Sequence, residues 1–407
     1  MEVKLIEEAL SGILELREPW YIEKVDVHHK NAVVDIYIRY KRGSKFKCSK
    51  CGKNCSVYDS NYRRWRHLNI FQYRCYLNVQ IPRTDCKQDG VLVIDSIPWG
   101  RMGTHYSYLF EATIMRLCAE MSVSGLSAEL GEPDTNLWRV FNYYINKAIK
   151  EQISCATVKR ISVDETSDKK GHSYVTIFTD MDTGDVIRVY EGRKQDVFKS
   201  LSEWFFSKEI DVSQVEHFCM DMSKSYKAGR EEYFPRSQVI FDKFHIKKAL
   251  NEAVNKVRKQ EAREVVALKK TKYLWLKNEK NLSYKEEQQL NTFLLESTYD
   301  TTKAYQLKIG FDEIWKVQPL AVEKLLNNWM ECALLSKLHP IEYFVGTVKR
   351  NLKGIINAMK TGITNAVAEG INSIVQMAKS RARGFRNIDN FKSMIYYLGN
   401  DFKLFTH

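Results

Sequence analysis

Residues 158–164 have the sequence VKRISVD, and residues 215–221 have the sequence VEHFCMD. Each segment has the apolar spacing of a β-strand and finishes in an acid, Asp164 in the first and Asp221 in the second. Two strands that each finish in an acid can present both carboxylates at one edge of a sheet. The two segments therefore predict a sheet with a pair of acids at one edge.

The neighbouring segments predict the rest of this sheet. Three strand-like segments occupy residues 157–191, and an amphipathic helix follows at 196–207. Residues 215–221 and 237–242 then alternate with helical segments. Three consecutive strands followed by strand–helix–strand are typical of the ribonuclease-H-like fold, a likeness of fold that does not by itself establish function. We expect this α/β core to occupy residues 156–248 and to resume at 356–407.

The two parts of the expected core are separated by residues 249–355. This stretch has almost no strand pattern and contains long helical segments rich in Lys and Glu, such as residues 252–270. It predicts an all-helical insertion. The insertion would explain why so long an interval separates Asp221 from Glu369, an acid on a helix predicted near residues 365–378.

The paired acids indicate a chemistry. Cleavage of a phosphodiester by two metal ions requires acidic ligands that converge from different elements. Carboxylate oxygens suit Mg²⁺ or Mn²⁺. Asp164 and Asp221 fit this requirement, and Glu369 would complete the set, although acids at 312–331 compete for the third position. Further alternatives near the first two acids are Glu165, Asp168 and Asp242.

A second pair of polar residues lies where a strand gives way to a helix. Asp242 and His245 are three residues apart in the segment FDKFHIKKAL. A neutral histidine beside an aspartate can position a phosphate or orient a metal-bound water. A purely structural hydrogen bond explains the pair equally well.

The region upstream of the core predicts a zinc site. Cys48 and Cys51 have the CxxC spacing of a zinc knuckle, and Cys86 is a suitable third thiolate. Nine cysteines without a secretory signal favour metal ligands over disulfides. We therefore expect a small zinc-ribbon-like β domain at 46–100, preceded by an α/β segment at 1–45. The fourth ligand is left open among Cys75, Asp89 and, with less support, Cys55.

Residues 101–155 predict three helices. A short second helix ends at Gly131-Glu132-Pro133, and a third begins with its cap at Asp134 or Thr135. This pattern is typical of a helix-turn-helix, whose last helix enters the major groove of DNA. The candidate base contacts on that helix are Asn136, Arg139 and Asn142.

The charge of the chain favours a polyanionic partner. The formal net charge is +13, which is typical of proteins that bind nucleic acid. No apolar segment approaches the length of a membrane span, and the acidic N-terminal segment does not have the features of a signal peptide. We expect a cytoplasmic protein without a membrane partner. A basic segment, KSRARGFR, follows the helix of Glu369 and offers four candidate contacts to a DNA backbone, Lys379, Arg381, Arg383 and Arg386.

Several long segments of the chain resemble the ISL-three family of bacterial insertion-sequence transposases. The similarity runs from Cys48 towards the C-terminal end. The segments that carry it are SVDETSDKKGHSYVTIFTDMDTG, CMDMSKSY, IFDKFHIKKALNEAVNKVR, KYLWLKN, AYQLK and TNAVAEGINSIVQMAKSRARGFRNIDNF.

The resemblance implies an architecture and an activity. It implies a multidomain transposase with a zinc-binding domain, a helix-turn-helix and a ribonuclease-H-like core interrupted by a helical insertion. A DDE triad would fall on Asp164, Asp221 and Glu369, and an Asp-x-x-His pair would fall on Asp242 and His245. Two Mg²⁺ (or Mn²⁺) ions would support cleavage at the element's terminal inverted repeats and transfer of the freed 3′-hydroxyl to target DNA.

The resemblance also implies an assembly, because two element ends must be held together by a homodimer or a larger synaptic complex. One departure concerns zinc. The second knuckle of the family commonly has Cys-x-x-Cys or Cys-x-x-His, whereas this chain has Cys86-Lys-Gln-Asp89. Two alternatives to an active transposase are a catalytically idle DNA-binding regulator and a ribonuclease-H-like nuclease.

Overall fold

The computed structural model describes residues 10–167, 174–295 and 299–404. The first compact unit ends at Tyr144, and the second extends from Ile145 to Leu404. Two sequence-based expectations lie outside the described residues, namely the start of the α/β segment predicted at 1–45 and the alternative acid Asp168.

The first unit contains a sheet with the strand order β1-β2-β5-β4-β3, and β6 pairs with β5. The long strands β4 and β5 form an antiparallel hairpin, and β2 runs parallel to β5. The division predicted at residue 45 therefore cuts through one sheet. The strands are β1 Trp20–His28, β2 Val33–Tyr40, β3 Lys45–Lys47, β4 Asn54–Ile70, β5 Tyr73–Cys86 and β6 Gly90–Val93.

Alternation of apolar and polar residues gives this sheet a buried face. Trp65 from β4, together with Leu77 and Val79 from β5, is fully buried in one cluster with Ile38 of β2. These large side chains supply hydrophobic stabilisation that holds the long hairpin against the rest of the unit.

A short hairpin, β7 Ser96–Ile97 with β8 Gly100–Arg101, leads into three helices, as the sequence predicted for residues 101–155. Ser107 and Ser122 cap the first two helices by accepting hydrogen bonds from backbone N–H groups. Gly131 ends the second helix at a φ of 66°, which favours glycine. The helices are α1 Tyr108–Glu120, α2 Val123–Leu130 and α3 Asp134–Gln152.

The second unit contains a five-stranded sheet with the order β11-β10-β9-β12-β13. The three consecutive strands β9, β10 and β11 are antiparallel neighbours, whereas β12 runs parallel to both β9 and β13. The strands are β9 Arg160–Ser167, β10 Tyr174–Asp180, β11 Val186–Glu191, β12 His217–Met220 and β13 Gln238–Phe241.

Helices cover this sheet and continue beyond it. Among the described residues, no strand follows β13, in agreement with the predicted helical region. The helices are α4 Asp196–Ser207, α5 Lys224–Tyr233, α6 Lys243–Glu261, α7 Lys272–Leu276, α8 Tyr284–Leu295, α9 Asp300–Ile314, α10 Pro319–Leu335, α11 His339–Arg350, α12 Leu352–Thr361, α13 Ala366–Arg381 and α14 Ile388–Leu398.

The helices after β13 share their core with the sheet. One continuous cluster contains Phe178 and Phe218 of the sheet and Phe311 and Trp329 of helices α9 and α10. The segment predicted as an insertion therefore does not have a core of its own. The helix expected through residues 252–270 also ends early, at Glu261, after which the Arg258 guanidinium donates to the Leu268 carbonyl and holds the chain in a turn.

Within the part of the chain that the structure describes, none of the helices has the length and apolarity required to cross a bilayer.

Candidate functional site

Three cysteines and one aspartate converge at the end of the β4–β5 hairpin. Cys48 and Cys51 lie in the turn between β3 and β4, Cys86 is the last residue of β5, and Asp89 lies in the next turn. Cys51 Sγ is 3.5 Å from Cys86 Sγ, and Asp89 Oδ2 is 3.4 Å from Cys48 Sγ. Gly52, at a φ of 71°, completes the knuckle turn.

The spacing of these four side chains suits a tetrahedral metal ion. Zn–S bonds of about 2.3 Å place two thiolates roughly 3.8 Å apart, close to the observed sulfur separation. Backbone N–H groups of Gln88 and Asp89 lower the pKa of the Cys86 thiol, whereas without a metal the hydrogen bond to Asp89 helps to raise the pKa of the Cys51 thiol to about 12. Three thiolates and a carboxylate therefore fit Zn²⁺.

The structure separates the three alternatives for the fourth ligand. Asp89 belongs to the cluster with Cys48, Cys51 and Cys86. The Cys75 side chain lies instead inside the sheet core, where burial raises the pKa of its thiol to about 12. Cys55 is also outside the group of four. The geometry thus groups Asp89, and not Cys75 or Cys55, with the three cysteines.

Helix α3 presents one of the three predicted base contacts to solvent. Arg139 is exposed, whereas Asn136 and Asn142 are half-buried. Asn136 also shares a side-chain hydrogen bond with the buried Tyr106. The position of α3 is fixed by the fully buried Glu111, which accepts hydrogen bonds from Arg101, Thr104 and Tyr144.

In the second unit, Asp164 and Asp221 lie at the same end of neighbouring strands. The parallel pair β9–β12 aligns Ile161 with Phe218 and Ser162 with Cys219. Two residues after this pair, Asp164 lies within β9 and Asp221 lies directly after the end of β12. The prediction that Asp164 ends its strand is wrong, because β10 continues to pair with β9 as far as Ser167, beyond the last residue of β12.

Helix α13 packs against β9 and brings Glu369 to this end of the sheet. The Asn372 side chain donates a 2.5 Å hydrogen bond to Asp164 Oδ2, and Gln376 donates one of 2.7 Å to Thr166 Oγ1. Glu369 lies one turn before Asn372, on the same side of the helix. Glu369 is exposed in the first turn of α13, where the helix dipole favours a carboxylate.

Asp242 and His245 lie at the same edge. Asp242 is buried and caps α6 by accepting from the Phe244 N–H, and its other oxygen is 2.9 Å from His245 Nδ1. This hydrogen bond raises the pKa of His245, and the charges of Asp221 and Asp164 act in the same direction. The predicted Asp–His pair therefore faces the two strand acids.

The acids also influence one another and their surroundings. Burial raises the pKa of Asp164 and of its neighbour Glu165, and the charge of Asp221 raises that of Glu165 further. Burial raises the pKa of the Cys219 thiol in β12 to about 12, with contributions from the charges of Asp242, Asp164 and Glu369. The carboxylates of Asp164, Asp242 and Glu369 are thus all close enough to Cys219 to affect its pKa.

The spacing of the acids differs from that of the cysteine cluster. Outside that cluster, no three His, Cys, Asp or Glu residues in the described ranges bring ligand atoms within 4.8 Å of one another. Ligands that hold two Mg²⁺ ions ~3.5–4 Å apart are farther from one another than the four ligands of one tetrahedral ion. Acids that hold two ions therefore need not form so tight a group as the cysteine cluster. Because carboxylate oxygens are the donors that Mg²⁺ and Mn²⁺ prefer, the chemistry of Asp164, Asp221 and Glu369 fits these metals.

The basic segment at the end of α13 is divided between two roles. Lys379 is half-buried, and its ammonium donates to the Ser167 hydroxyl at 3.2 Å, so it ties α13 to β9. Arg381, Arg383 and Arg386 are exposed. Three of the four predicted backbone contacts are therefore accessible.

Comparison with known proteins matches each of these regions to a family. A model described as a zinc-finger of transposase IS204/IS1001/IS1096/IS1165 matches residues 44–89, and one described as the helix-turn-helix domain of transposase family ISL3 matches residues 96–145. The ISL3 family model described as transposase matches residues 161–395, which is more than half of the 407 residues. The chain belongs to the ISL3 family of transposases.

Individual relatives of this ISL3-family chain cover most of its length. The transposase for insertion sequence element IS1001 of Bordetella parapertussis is 24% identical over 373 residues, which is 84% of this chain and 86% of the relative. The transposase for insertion sequence element IS1557 of Mycobacterium tuberculosis (strain CDC 1551 / Oshkosh) is 22% identical over 379 residues, covering 84% and 83%. The resemblance stated from sequence segments is thus confirmed.

Sequence reasoning missed the amides of α13. Asn372 and Gln376 both contact β9, one of them through Asp164 itself. Their spacing of three and seven residues from Glu369 is the signal that could have found them, because residues at these intervals lie on one face of a helix.

Proposed function

We propose that this chain is an active DDE transposase, in which Asp164, Asp221 and Glu369 hold two Mg²⁺ or Mn²⁺ ions. The observation that carries the proposal is the position of Asp164 in β9 and of Asp221 directly after the neighbouring parallel strand β12, with the helix of Glu369 hydrogen-bonded to Asp164. The second sheet, with three antiparallel strands and two more strands parallel to the first, supports a ribonuclease-H-like core.

The residues around the acids have distinct tasks in this proposal. When bound, the metal ions would activate the attacking oxygen and stabilise the leaving oxygen of a phosphodiester. Asn372 orients the Asp164 carboxylate, and His245 contributes a positively polarised group beside the scissile phosphate. Arg381, Arg383 and Arg386 bind the DNA backbone. The reaction is cleavage at the element ends, followed by attack of the 3′-hydroxyl on target DNA.

The first unit supplies recognition in this proposal. Its zinc-ribbon and helix-turn-helix regions would bind the terminal inverted repeats, with exposed Arg139 as the contact on α3. Two ends must be joined, so the active species is a homodimer or a larger assembly. The expected location is the bacterial cytoplasm, on DNA.

An excision assay tests this proposal. A plasmid that carries the matching element ends is expected to lose the element when the wild-type chain and Mg²⁺ are supplied. A chain that binds the ends without any cleavage would be the regulator considered above. Equal cleavage of DNA that lacks the ends would identify a nuclease without the specificity of a transposase.

Replacing Asn372 tests how the first acid is oriented. Asn372→Ala is expected to lower the cleavage rate about 10- to 100-fold, since a hydrogen bond to a charged group contributes roughly 1.5–3 kcal/mol. The rate is measured in single-turnover cleavage of an element-end duplex. Ser373→Ala, an exposed change on the same helix, is the control. Equal rates for the two variants would remove Asn372 from the site.

A further inference from the structure

A basic groove lies beside the edge strand of the second sheet, with a volume of about 650 Å³. It is bounded by α5, by β13 and by the junction of α11 with α12. Nothing in the proposed triad or in the exposed end of α13 accounts for it. The cations that line it are Lys227, Arg230, Lys349, Arg350, Lys353 and Lys360.

The groove has an excess of positive charge. Its two acids are each paired, Glu231 with Arg230 at 3.2 Å and Glu323 with Lys360 at 3.7 Å. The other four cations have no carboxylate within 4.0 Å among the residues that the structure describes. Of these, Lys349, Arg350 and Lys353 are exposed. Cations gathered in this way repel one another and favour a bound polyanion.

Helix α12 begins inside the groove and strengthens this preference. Its first turn contains Lys353 and no acid, although the positive end of a helix dipole disfavours a cation. The side chain of Asn351, its N-cap residue, does not cap the helix and instead accepts a 2.8 Å hydrogen bond from Lys227. The N–H groups of the first turn of α12, which have no acceptor within the helix, and the lysine at the same end both favour an anion.

Close packing fixes this helix end in place. Gly354 lies against the Phe241 ring so closely that a Cβ atom there would be 2.5 Å from it. Helix α12 can therefore approach β13 only because this position has no side chain. The anion-attracting end of α12 is held beside the residue that precedes Asp242.

Two elements that border the groove, α5 and β13, are also next to the acids in the chain. Lys227 lies in the first turn of α5, which begins three residues after Asp221. Its ammonium is 6.0 Å from the centre of the Phe241 ring, and Phe241 immediately precedes Asp242. A DNA strand that leaves the acids on the β12–β13 side would meet this groove.

We propose that the groove binds the sugar–phosphate backbone of duplex DNA next to the reacting phosphate, without reading its sequence. The inference rests on the proposed function, because it takes DNA as the substrate. Flexible lysines and a helix end contact phosphates of any sequence, so the groove contributes affinity equally to element-end and unrelated DNA.

The salt dependence of binding tests this inference. The full chain with Lys349→Gln and Lys353→Gln is titrated with an element-end duplex and with an unrelated duplex of the same length. The slope of log K against log[salt] is expected to fall by roughly 0.9 for each lost contact. At 0.1 M salt this corresponds to a loss of roughly eightfold in affinity for each contact, for both duplexes.

The control carries Lys269→Gln and Lys285→Gln, which remove two exposed lysines of the same unit outside the groove. Unchanged slopes in the groove variant, or a loss confined to the element-end duplex, would overturn the inference. The proposed function is tested separately, by cleavage with the wild-type chain. A reduced slope without any wild-type cleavage would retain the groove and reject the transposase activity.

Discussion

Asp164→Asn is expected to reduce DNA cleavage by at least about 10³-fold while leaving the affinity for an element-end duplex unchanged. The carboxylate would contribute several kcal/mol through metal positioning, and each 1.36 kcal/mol of barrier is a tenfold change in rate. The side chain keeps its size and can still receive the hydrogen bond from Asn372. Single-turnover cleavage in Mg²⁺ and a parallel binding titration measure the two quantities.

Matched variants sharpen this expectation. Asp221→Asn and Glu369→Gln are expected to have losses similar to that of Asp164→Asn, since all three residues serve one site. Glu331→Gln, an exposed change on α10, is expected to cut at the wild-type rate. If Asp164→Asn cuts normally and Glu165→Gln does not, the first ligand is Glu165, the next residue of β9.

The sheet that carries these acids could be predicted because each of its strands has its own pattern of apolar residues in the sequence. Apolar spacing identifies the strands ending near Asp164 and Asp221, and the return of helical spacing identifies α13 with Glu369. The parallel alignment of β9 with β12 follows from a connection that includes a helix, which is how parallel strands are joined. Strand types and approximate limits could therefore be predicted.

The remaining features depend on contacts distant in sequence. The extension of β9 past Asp164 requires β10 as a partner. The Asn372–Asp164 hydrogen bond joins residues 208 positions apart. The local sequence pattern does not predict that residues 249–355 share a core with the sheet, because helices with apolar faces pack equally well on one another or on strands.

The sequence left the fourth zinc ligand open for a similar reason. Cys75 and Asp89 were both open, and thiolate is the commoner ligand at structural sites. Only the register of β4 with β5, which pairs His67 with Cys75, shows that Cys75 lies far along the hairpin from Cys86. Asn136 illustrates the same limit, since it is half-buried and hydrogen-bonded to Tyr106 although its helical position alone would leave it exposed.

Cys86→Ser is expected to reduce bound zinc from about one equivalent per chain to nearly none. Structural zinc contributes roughly 10–16 kcal/mol of apparent binding free energy in small domains, comparable to the whole stability of a domain. The effect should be local, because β3 has three residues and pairs with β4 alone, whereas Trp65 and Leu77 anchor the rest of the sheet. Metal analysis and hydrogen exchange at residues 45–56 and 84–93 measure the outcome.

The fourth ligand is tested in the same experiment. Asp89→Ala should weaken zinc binding, and Asp89→Cys should strengthen it, since a thiolate replaces the carboxylate of a Cys₃Asp set. Cys75→Ala and Cys55→Ala are the matched controls and should retain one equivalent. Loss of the metal in Cys75→Ala with retention in Asp89→Ala would reverse the assignment. Full zinc content in Cys86→Ser would show that the cluster at the end of the β4–β5 hairpin is not the metal site.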